Sequence, residues 1–132
     1  MKAIFKPGDR KVYRRIIEAS DEATFHNQNV HHVYATFSLA RDAEWTTRQF
    51  VLEMMDADEE GIGTFLSVEH KNPAFCGEEI IFNAWIDHIE GNELICFYEA
   101  RVDSRLIAIG KTGQKIFKKS KLERIFQSHQ EQ

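Results

Sequence analysis

The sequence is poor in the features that mark several large classes of protein. Its 132 residues include only two cysteines and two prolines. Cys76 and Cys96 form neither a CxxC pair nor a cysteine–histidine ligand spacing, and two isolated thiols favour a reducing compartment. No apolar run approaches the length of about 20 residues that spans a bilayer, and no apolar signal-peptide core is visible at the N-terminus. We therefore expect a cytoplasmic protein that does not contact membranes.

An excess of positive charge is also lacking, because 17 lysines and arginines against 21 acidic residues give a net charge of -4. This charge gives no reason to expect nucleic acid or an anionic membrane as a partner. Hydrophobic residues make up 42% of the chain, which is compatible with one core that needs no disulfide or metal staples. Neither a repeat nor a linker divides the sequence, so residues 1–132 are expected to form a single domain.

Three neighbouring histidines and one cysteine raise the question of a metal site or a thiol nucleophile. The side chains of the adjacent His31 and His32 point apart, and no carboxylate spacing supports a site that includes them and His26. No metal is therefore expected. Cys76 has no base at a recognisable local spacing, so a buried or otherwise inert thiol is expected there.

One amphipathic helix stands out at residues 37–56. At about 100° per residue, its apolar side chains fall in one broad arc, whereas Asp42, Gln49 and Glu53 fall opposite. The later segments are rich in β-branched and aromatic residues, which favour strands. Strands are predicted at 10–19, 62–70, 79–89, 93–103 and 105–118, and a short terminal helix at 120–128. Residues 20–36 are predicted to form a polar connecting loop, with room for one helical turn.

Two dipeptides predict how the last strands are joined. Gly91-Asn92 and Asp103-Ser104 lie at hairpin spacing, so the strands after the helix should form a meander. One amphipathic helix packed against one antiparallel sheet is a two-layer α+β domain.

Glu44 and His70 are the side chains most able to carry chemistry in this scheme. Glu44 lies at the edge of the apolar arc, where a partly desolvated carboxylate suits general-base catalysis. Alternatively, it forms a rim ion pair with Arg48, four residues on. His70 continues the apolar face of the 62–70 strand by period-two alternation. It is either a catalytic imidazole or a satisfied core residue.

Thr36 directly precedes the predicted helix. Threonine is a good N-cap, but a hydroxyl there also lies beside free backbone N–H groups, which can hold a developing oxyanion. Gly61 and Gly63 bracket Ile62, where glycine either gives a flexible strand entry or allows close approach of the backbone to a ligand. These residues alone leave both pairs of alternatives open.

Five spaced segments within residues 33–77 carry a family resemblance. They are Val33-Tyr34-Ala35-Thr36, Glu44-Trp45, Gly63-Thr64, Val68-Glu69-His70 and Gly77. Their order and spacing resemble the fluoroacetyl-CoA thioesterase branch of the hot-dog thioesterases. The resemblance implies a hot-dog fold, in which an antiparallel sheet wraps around one long helix.

The same resemblance implies an activity and a site. It implies hydrolysis of a small or medium acyl-CoA thioester, with CoA as part of the substrate and no separate cofactor. It also implies a homodimer whose interface contains the site, and Trp45, which falls toward the polar side of the helix, would then be covered by the partner or by a loop. The implied catalytic residues are Thr36, Glu44 and His70, and the implied substrate-binding residues are Gly63, Thr64 and Gly77.

Two departures from the branch leave the acyl group open. Gln114 stands where the branch has an arginine, and the 20–32 loop is more polar than its counterpart. The alternatives are a non-catalytic acyl-CoA or small-ligand binding module and a hot-dog hydratase or dehydratase, although no hydratase-type Asp/His segment is present. A basic run could either attract CoA phosphates or protect a solvated edge strand: Lys111, Lys115, Lys118, Lys119, Lys121 and Arg124.

Overall fold

The computed structural model describes residues 1–25 and 28–130, and their side chains except at 24, 25 and 28–30. The chain begins with strand β1 (Arg10–Ile16), a 3-10 turn (Ala19–Asp21) and strands β2 (Glu22–Phe25) and β3 (Gln28–Tyr34). The helix α1 (Thr36–Met54) comes next. It is followed by strands β4 (Glu59–Leu66), β5 (Glu69–His70), β6 (Glu79–Glu90), β7 (Glu93–Val102) and β8 (Arg105–Lys118), and by the helix α2 (Lys119–Gln130).

One antiparallel sheet organises the fold. Its strands lie in the order β1-β6-β7-β8-β4, and the short β5 also pairs with β8. The predicted meander of β6, β7 and β8 is confirmed. Gly91 has a φ of 60° and Asp103 a φ of 51°, the left-handed conformation that tight hairpin turns need. The strands β2 and β3 form a separate hairpin.

The sheet curls around α1, whose buried face packs against β1, β4, β6, β7 and β8. Alternate residues of β6 and β7 point inward, among them the buried Phe82 and Tyr98. On the outer face, Trp85 stacks on Phe97 with a centroid distance of 6.0 Å, and Lys111 lies over the Phe97 ring. The predicted α+β architecture is therefore confirmed. On the outer face of the sheet, Trp85, Phe97 and Lys111 partly cover one another.

The loop predicted at 20–36 is wrong for the most part, because β2 and β3 form a hairpin there, whereas the helical turn that the prediction allowed is present as the 3-10 turn. The hairpin register shifts on both sides of Ala23. Such irregularity hides the period-two alternation by which a strand is recognised in a sequence.

The strand predicted at 62–70 is also partly wrong. The strand β4 begins at Glu59 and ends at Leu66, and a bulge between Gly63 and Phe65 shifts its register against β8. Because the bulge changes the phase of the side chains, Thr64 does not share the inner face of the sheet with His70. Leu66 still does, since its partner Thr112 and the His70 partner Ala108 are both buried on one face of β8, although Leu66 itself is 37% exposed.

Three smaller differences concern β8 and the helices. The strand β8 pairs with both β7 and β4, so its lysines do not lie on an edge strand. The helix α1 begins one residue earlier and ends two residues earlier than the predicted 37–56, and α2 is longer than the predicted 120–128. No helix in the described part of the chain has the length and apolar character needed to cross a membrane.

Candidate functional site

A direct hydrogen bond joins Thr36, at the start of α1, to His70, at the end of β5. The Thr36 Oγ1 and His70 Nδ1 atoms are 2.9 Å apart. Burial lowers the pKa of His70, and the backbone of Asn72 opposes this to a smaller extent. The imidazole is therefore mostly neutral near pH 7, so Nδ1 can accept the Thr36 hydroxyl proton. The other ring nitrogen, Nε2, is buried without a hydrogen-bond partner among the described residues.

Thr36 is the first helical residue and is not the N-cap that its position suggested. The N-cap is Ala35, which makes no side-chain capping bond. The Ala35 carbonyl accepts the N–H of Leu39 at 2.9 Å, so the N–H groups of Thr36, Phe37 and Ser38 have no intrahelical acceptor. A hydroxyl, an imidazole and free N–H groups at one helix start can stabilise a developing oxyanion.

These groups open into a cavity of about 640 Å³. Its walls come from the start of α1 and from the β2–β3 region. They combine apolar side chains with a few polar groups, the composition of a typical small-molecule pocket. The cavity is lined, among others, by Glu22, His31, Thr36, Phe37, Arg41 and His70.

A buried charged cluster fixes the start of α1 beside this cavity. Arg15 donates to Asp21 at 2.6 Å and to Asp42 at 2.7 Å, and Arg41 donates to the same two carboxylates at 2.9 and 3.2 Å. The Tyr34 hydroxyl donates to Asp42. Burial by itself raises the pKa of Asp21, but hydrogen bonds, led by that from Arg15, outweigh this effect and lower it. The cluster can therefore stay ionised while buried, because its charges balance.

Sequence reasoning missed this cluster because it placed Asp42 on the polar face of the helix. Asp42 is only 4% exposed. A signal was present, since Asp42 follows Leu39 by three residues and lies about 60° from it around the helix axis. Arg15 likewise shares the inward phase of β1 with Tyr13.

Glu44 lies about two turns farther along α1 and faces β4. Its Oε1 atom is 2.6 Å from the place where a Cβ on Gly63 would stand, so glycine is needed there to leave room for the carboxylate. Arg48 does not form the alternative rim pair. It donates instead to Glu60 at 3.1 Å and to the carbonyl of Gly61 at 3.2 Å.

Glu44 lines a second cavity, of about 510 Å³, that adjoins the first. Phe37 and Arg41 line both cavities. The structure thus brings Thr36 and His70 into contact, whereas Glu44 lies about two turns farther along α1, in the adjoining cavity. Phe37 is 83% exposed and Trp45 is 44% exposed, so much of the surface around Glu44 is apolar and uncovered.

The three implied substrate-binding residues lie in different surroundings. Gly63 lies against Glu44, and Thr64 follows it in the exposed bulge of β4. Gly77 lies in a turn with a φ of 91°, and its N–H donates to the Ile17 carbonyl at 2.8 Å. The positive φ of this turn is a sufficient reason for glycine at position 77. Gly77 lines neither cavity.

Gly61 serves packing and is not a flexible strand entry. A Cβ at this position would lie 2.4 Å from Cγ1 of Val51. The absence of a side chain therefore lets β4 approach α1 closely at Gly61.

The two cysteines and the described histidines of these hypotheses lie in different surroundings. His31 lines the first cavity, whereas His26 lies outside the described residues; within those residues, no group of three metal-binding side chains occurs. Cys76 is exposed, so it is not a buried thiol; that it is inert stays a prediction. Cys96 is buried, and burial raises its pKa to about 12.

Solved structures with this architecture define its class. A hypothetical protein of Thermus thermophilus, a thioesterase superfamily member, is 29% identical, with a TM-score of 0.91 over 99% of this chain and 96% of that chain. A point mutant of the fluoroacetyl-CoA-specific thioesterase FlK is 16% identical, with a TM-score of 0.86 over 97% and 99%. A hot-dog-like protein from Thermanaerovibrio acidaminovorans is 17% identical, with a TM-score of 0.86 over 95% and 93%. The chain has the hot-dog fold.

The family follows from the sequence match. Residues 17–120 match the family model described as FlK, fluoroacetyl-CoA-specific thioesterase. This segment is most of the chain and contains Thr36, Glu44, Gly63 and His70. The protein belongs to the FlK thioesterase family. A comparison with curated proteins found no match.

Proposed function

We propose that this protein hydrolyses the thioester of a small or medium acyl-CoA to the free acid and CoA. The observation that carries the proposal is the Thr36–His70 hydrogen bond at the open start of α1, beside a cavity of about 640 Å³. Thioester hydrolysis needs an activated nucleophile, donors for the oxyanion and a proton for the leaving thiolate. Membership of a thioesterase family supports the same class of reaction.

Glu44 is the base or the nucleophile in this scheme. As a base, it takes a proton from a water molecule whose oxygen attacks the thioester carbonyl carbon. The free N–H groups at the start of α1 stabilise the negative charge on the carbonyl oxygen. The Thr36 hydroxyl donates to His70 Nδ1 and orients the imidazole. When the C–S bond breaks, His70 relays the proton to the thiolate of CoA. Gly63 and Thr64 contact the substrate on the Glu44 side.

The acyl group occupies the larger cavity in this proposal. A related FlK mutant was crystallised with fluoroacetate and CoA; it is 17% identical, with a TM-score of 0.82 over 89% of this chain and 99% of that chain. Glu22 and His31 add polar groups to the cavity wall here, and these groups are expected to select among acyl groups. The proposal therefore names the thioester class and leaves the acyl chain to experiment.

A panel of acyl-CoAs tests the reaction. Acetyl-CoA, fluoroacetyl-CoA and medium-chain esters are assayed for released thiol. Because Cys76 is exposed and can react with thiol reagents, Cys76→Ser protein is used in parallel. Saturable release of free CoA supports the proposal. Saturable binding of the esters without release would identify an acyl-CoA-binding module instead.

Variants test the assigned residues. Glu44→Gln and His70→Ala should each lower kcat about 100-fold or more, and the double variant should lose much less than the product of the two. Substrate binding should persist. Glu53→Gln is the matched control, since Glu53 is an exposed glutamate of α1 paired with Lys11 at 2.6 Å. Near-normal kcat in both Glu44→Gln and His70→Ala would remove the catalytic roles.

We also propose that the active form is a homodimer. Phe37, Trp45 and Leu66 are 83%, 44% and 37% exposed around the Glu44 cavity, which is unusual for large apolar side chains in one patch. Within the described sheet, β4 is an edge strand. A second copy paired along β4 would cover this surface and place two sets of site residues at one interface.

Light scattering tests the assembly. The expected mass is about twice 15.4 kDa, and Leu66→Arg should shift it toward the monomer with a parallel loss of turnover. An active protein that stays at 15.4 kDa at assay concentrations would contradict the interface.

A further inference from the structure

A buried amide lies beside Glu44 on the sheet. Gln114 of β8 is 1% exposed and is the register partner of Gly63 in β4. Directly opposed residues in antiparallel strands have Cβ positions about 4.5–5.5 Å apart on the same face. The Oε1 atom of Glu44 lies 2.6 Å from the Cβ position of Gly63. The Gln114 side chain therefore leaves the sheet next to the point where the Glu44 carboxylate lies.

The orientation of the Gln114 amide follows from its neighbours. Its Nε2 donates to Thr47 Oγ1 at 2.8 Å, and the Thr112 hydroxyl donates to the same atom at 2.9 Å. Thr47 donates its own hydrogen to the backbone carbonyl of Glu44 at 3.1 Å. A hydroxyl has one hydrogen and two acceptor sites, so Thr47 can only accept from the amide. Nε2 therefore faces Thr47, and Oε1 faces away from it.

The Oε1 atom is the unusual part of this network. It is buried and has no hydrogen-bond partner among the described residues. Native proteins rarely keep a buried acceptor unpaired without a functional reason. An ionised Glu44 offers only acceptors, whereas a protonated Glu44 offers an O–H donor. The Gln114 acceptor can therefore form a hydrogen bond only with a protonated Glu44.

We propose that Gln114 is a positioning residue that acts through Glu44, accepting a hydrogen bond from the Glu44 carboxyl once Glu44 has taken a proton from water. This inference rests on the proposed function, in which Glu44 is the base. The bond forms as the proton arrives, so it stabilises the transition state more than the bound substrate. The water oxygen attacks the carbonyl carbon, the C–S bond breaks, and the proton passes on to the thiolate, which restores Glu44.

The first test measures protonation without requiring activity. Carbon-13 NMR follows the Glu44 carboxyl, assigned by its loss in Glu44→Gln. In Gln114→Met, which keeps the bulk and removes the acceptor, the midpoint of this titration should fall by about 0.5 pH unit or more. Thr112→Val is the matched control, because it removes a buried hydroxyl from the same network but keeps Oε1. It should leave the midpoint within about 0.2 pH unit of wild type.

The direction of the change separates the proposal from a purely structural role. An apolar replacement without any lost hydrogen bond would raise the midpoint, because dehydration disfavours the carboxylate. A rise or no change in Gln114→Met overturns the proposal. If Gln114→Met does not fold, Gln114→Glu tests proximity, since a second carboxylate beside Glu44 must raise the midpoint. An unchanged midpoint in Gln114→Glu also overturns it.

Turnover gives the second readout. With the best acyl-CoA, Gln114→Met should lower kcat about 10-fold with KM within about twofold, and Thr112→Val should change neither by more than about twofold. A fall in the midpoint with an unchanged kcat overturns the catalytic part of the proposal. A wild-type protein that releases no thiol, yet shows the lowered midpoint in Gln114→Met, refutes the proposed function and supports the contact between Gln114 and Glu44.

Discussion

The Thr36 end and the Glu44 end of the site are held in different ways. Beside Thr36, the charged cluster of Arg15, Asp21, Arg41 and Asp42 is closed on itself by hydrogen bonds. Glu44 belongs to no ion pair among the described residues, and close approach to a glycine leaves room for its carboxylate. The Thr36 end is therefore held by paired charges, whereas the Glu44 end contains a single carboxylate for which Gly63 leaves room.

This difference matches the chemistry proposed for the two ends. A paired buried charge keeps its ionisation state, because any change would leave its partner unpaired. A carboxylate that must gain and lose a proton requires surroundings that do not fix its charge so strongly. The cluster therefore suits a structural role at the helix start, and Glu44 suits proton transfer.

The largest expected effect is on stability at the Thr36 end. Asp42→Ala leaves Arg15 and Tyr34 without their shared acceptor, so the free energy of unfolding should fall by about 3–5 kcal/mol. Urea unfolding followed by circular dichroism measures it. Arg41→Gln is the control, because the Arg41 side chain is 54% exposed and its ion pairs should contribute less than about 1 kcal/mol. Equal losses of unfolding free energy in the two variants would contradict the distinction between buried and exposed residues of the charged cluster.

Two glycines of β4 separate packing from catalysis at the Glu44 end. In Gly61→Ala the new Cβ would lie 2.4 Å from Val51 Cγ1, and such overpacking should cost about 1–3 kcal/mol with little change in kcat. In Gly63→Ala the Cβ displaces the mobile end of Glu44, so kcat should fall about 10-fold with a stability loss below about 1 kcal/mol. Urea unfolding and thiol release are measured on both. A loss of kcat in Gly61→Ala together with a loss of stability in Gly63→Ala would contradict these roles.

The pH dependence of stability provides a smaller effect at the Thr36 end. Burial lowers the pKa of His70, whereas in the unfolded chain it is about 6.5. Between these two pKa values the unfolded state binds more protons. The contribution of neutral His70 is therefore complete above about pH 6.5 and is lost as the pH falls toward the folded-state pKa. Urea unfolding of wild type and of His70→Asn is measured at several pH values. The difference between their free energies of unfolding should change in this pH window, and a constant difference would contradict the prediction.

The smallest effect is expected outside both ends. Cys76→Ser changes an exposed side chain that lines neither cavity, so kcat should stay within about threefold of wild type, less than roughly 1 kcal/mol. Thiol release is measured with a reagent that is corrected for the missing protein thiol. A loss of several orders of magnitude in a folded Cys76→Ser protein would make cysteine the nucleophile and displace Glu44.

The comparison also shows where prediction from the sequence succeeded. The α1 helix and the β6–β8 meander follow from local patterns, namely a helical apolar arc and hairpin turns at Gly91 and Asp103. The β2–β3 hairpin was not predicted because its register is irregular, and Thr64 was placed on the wrong face because a bulge changes the phase of β4. Local periodicity therefore predicted the regular elements and failed where a register shift interrupts it.

By itself, the sequence determined the helix, the meander and the family resemblance, because each depends on residues that are close along the chain or on their spacing. Only the tertiary structure decided that Thr36 meets His70, 34 residues away, and that Asp42 is buried against Arg15, 27 residues away. The tertiary structure also placed Gln114 against Thr47, 67 residues away. A buried polar side chain is stable only with its partner in place, and which partner that is depends on how the sheet curls around the helix.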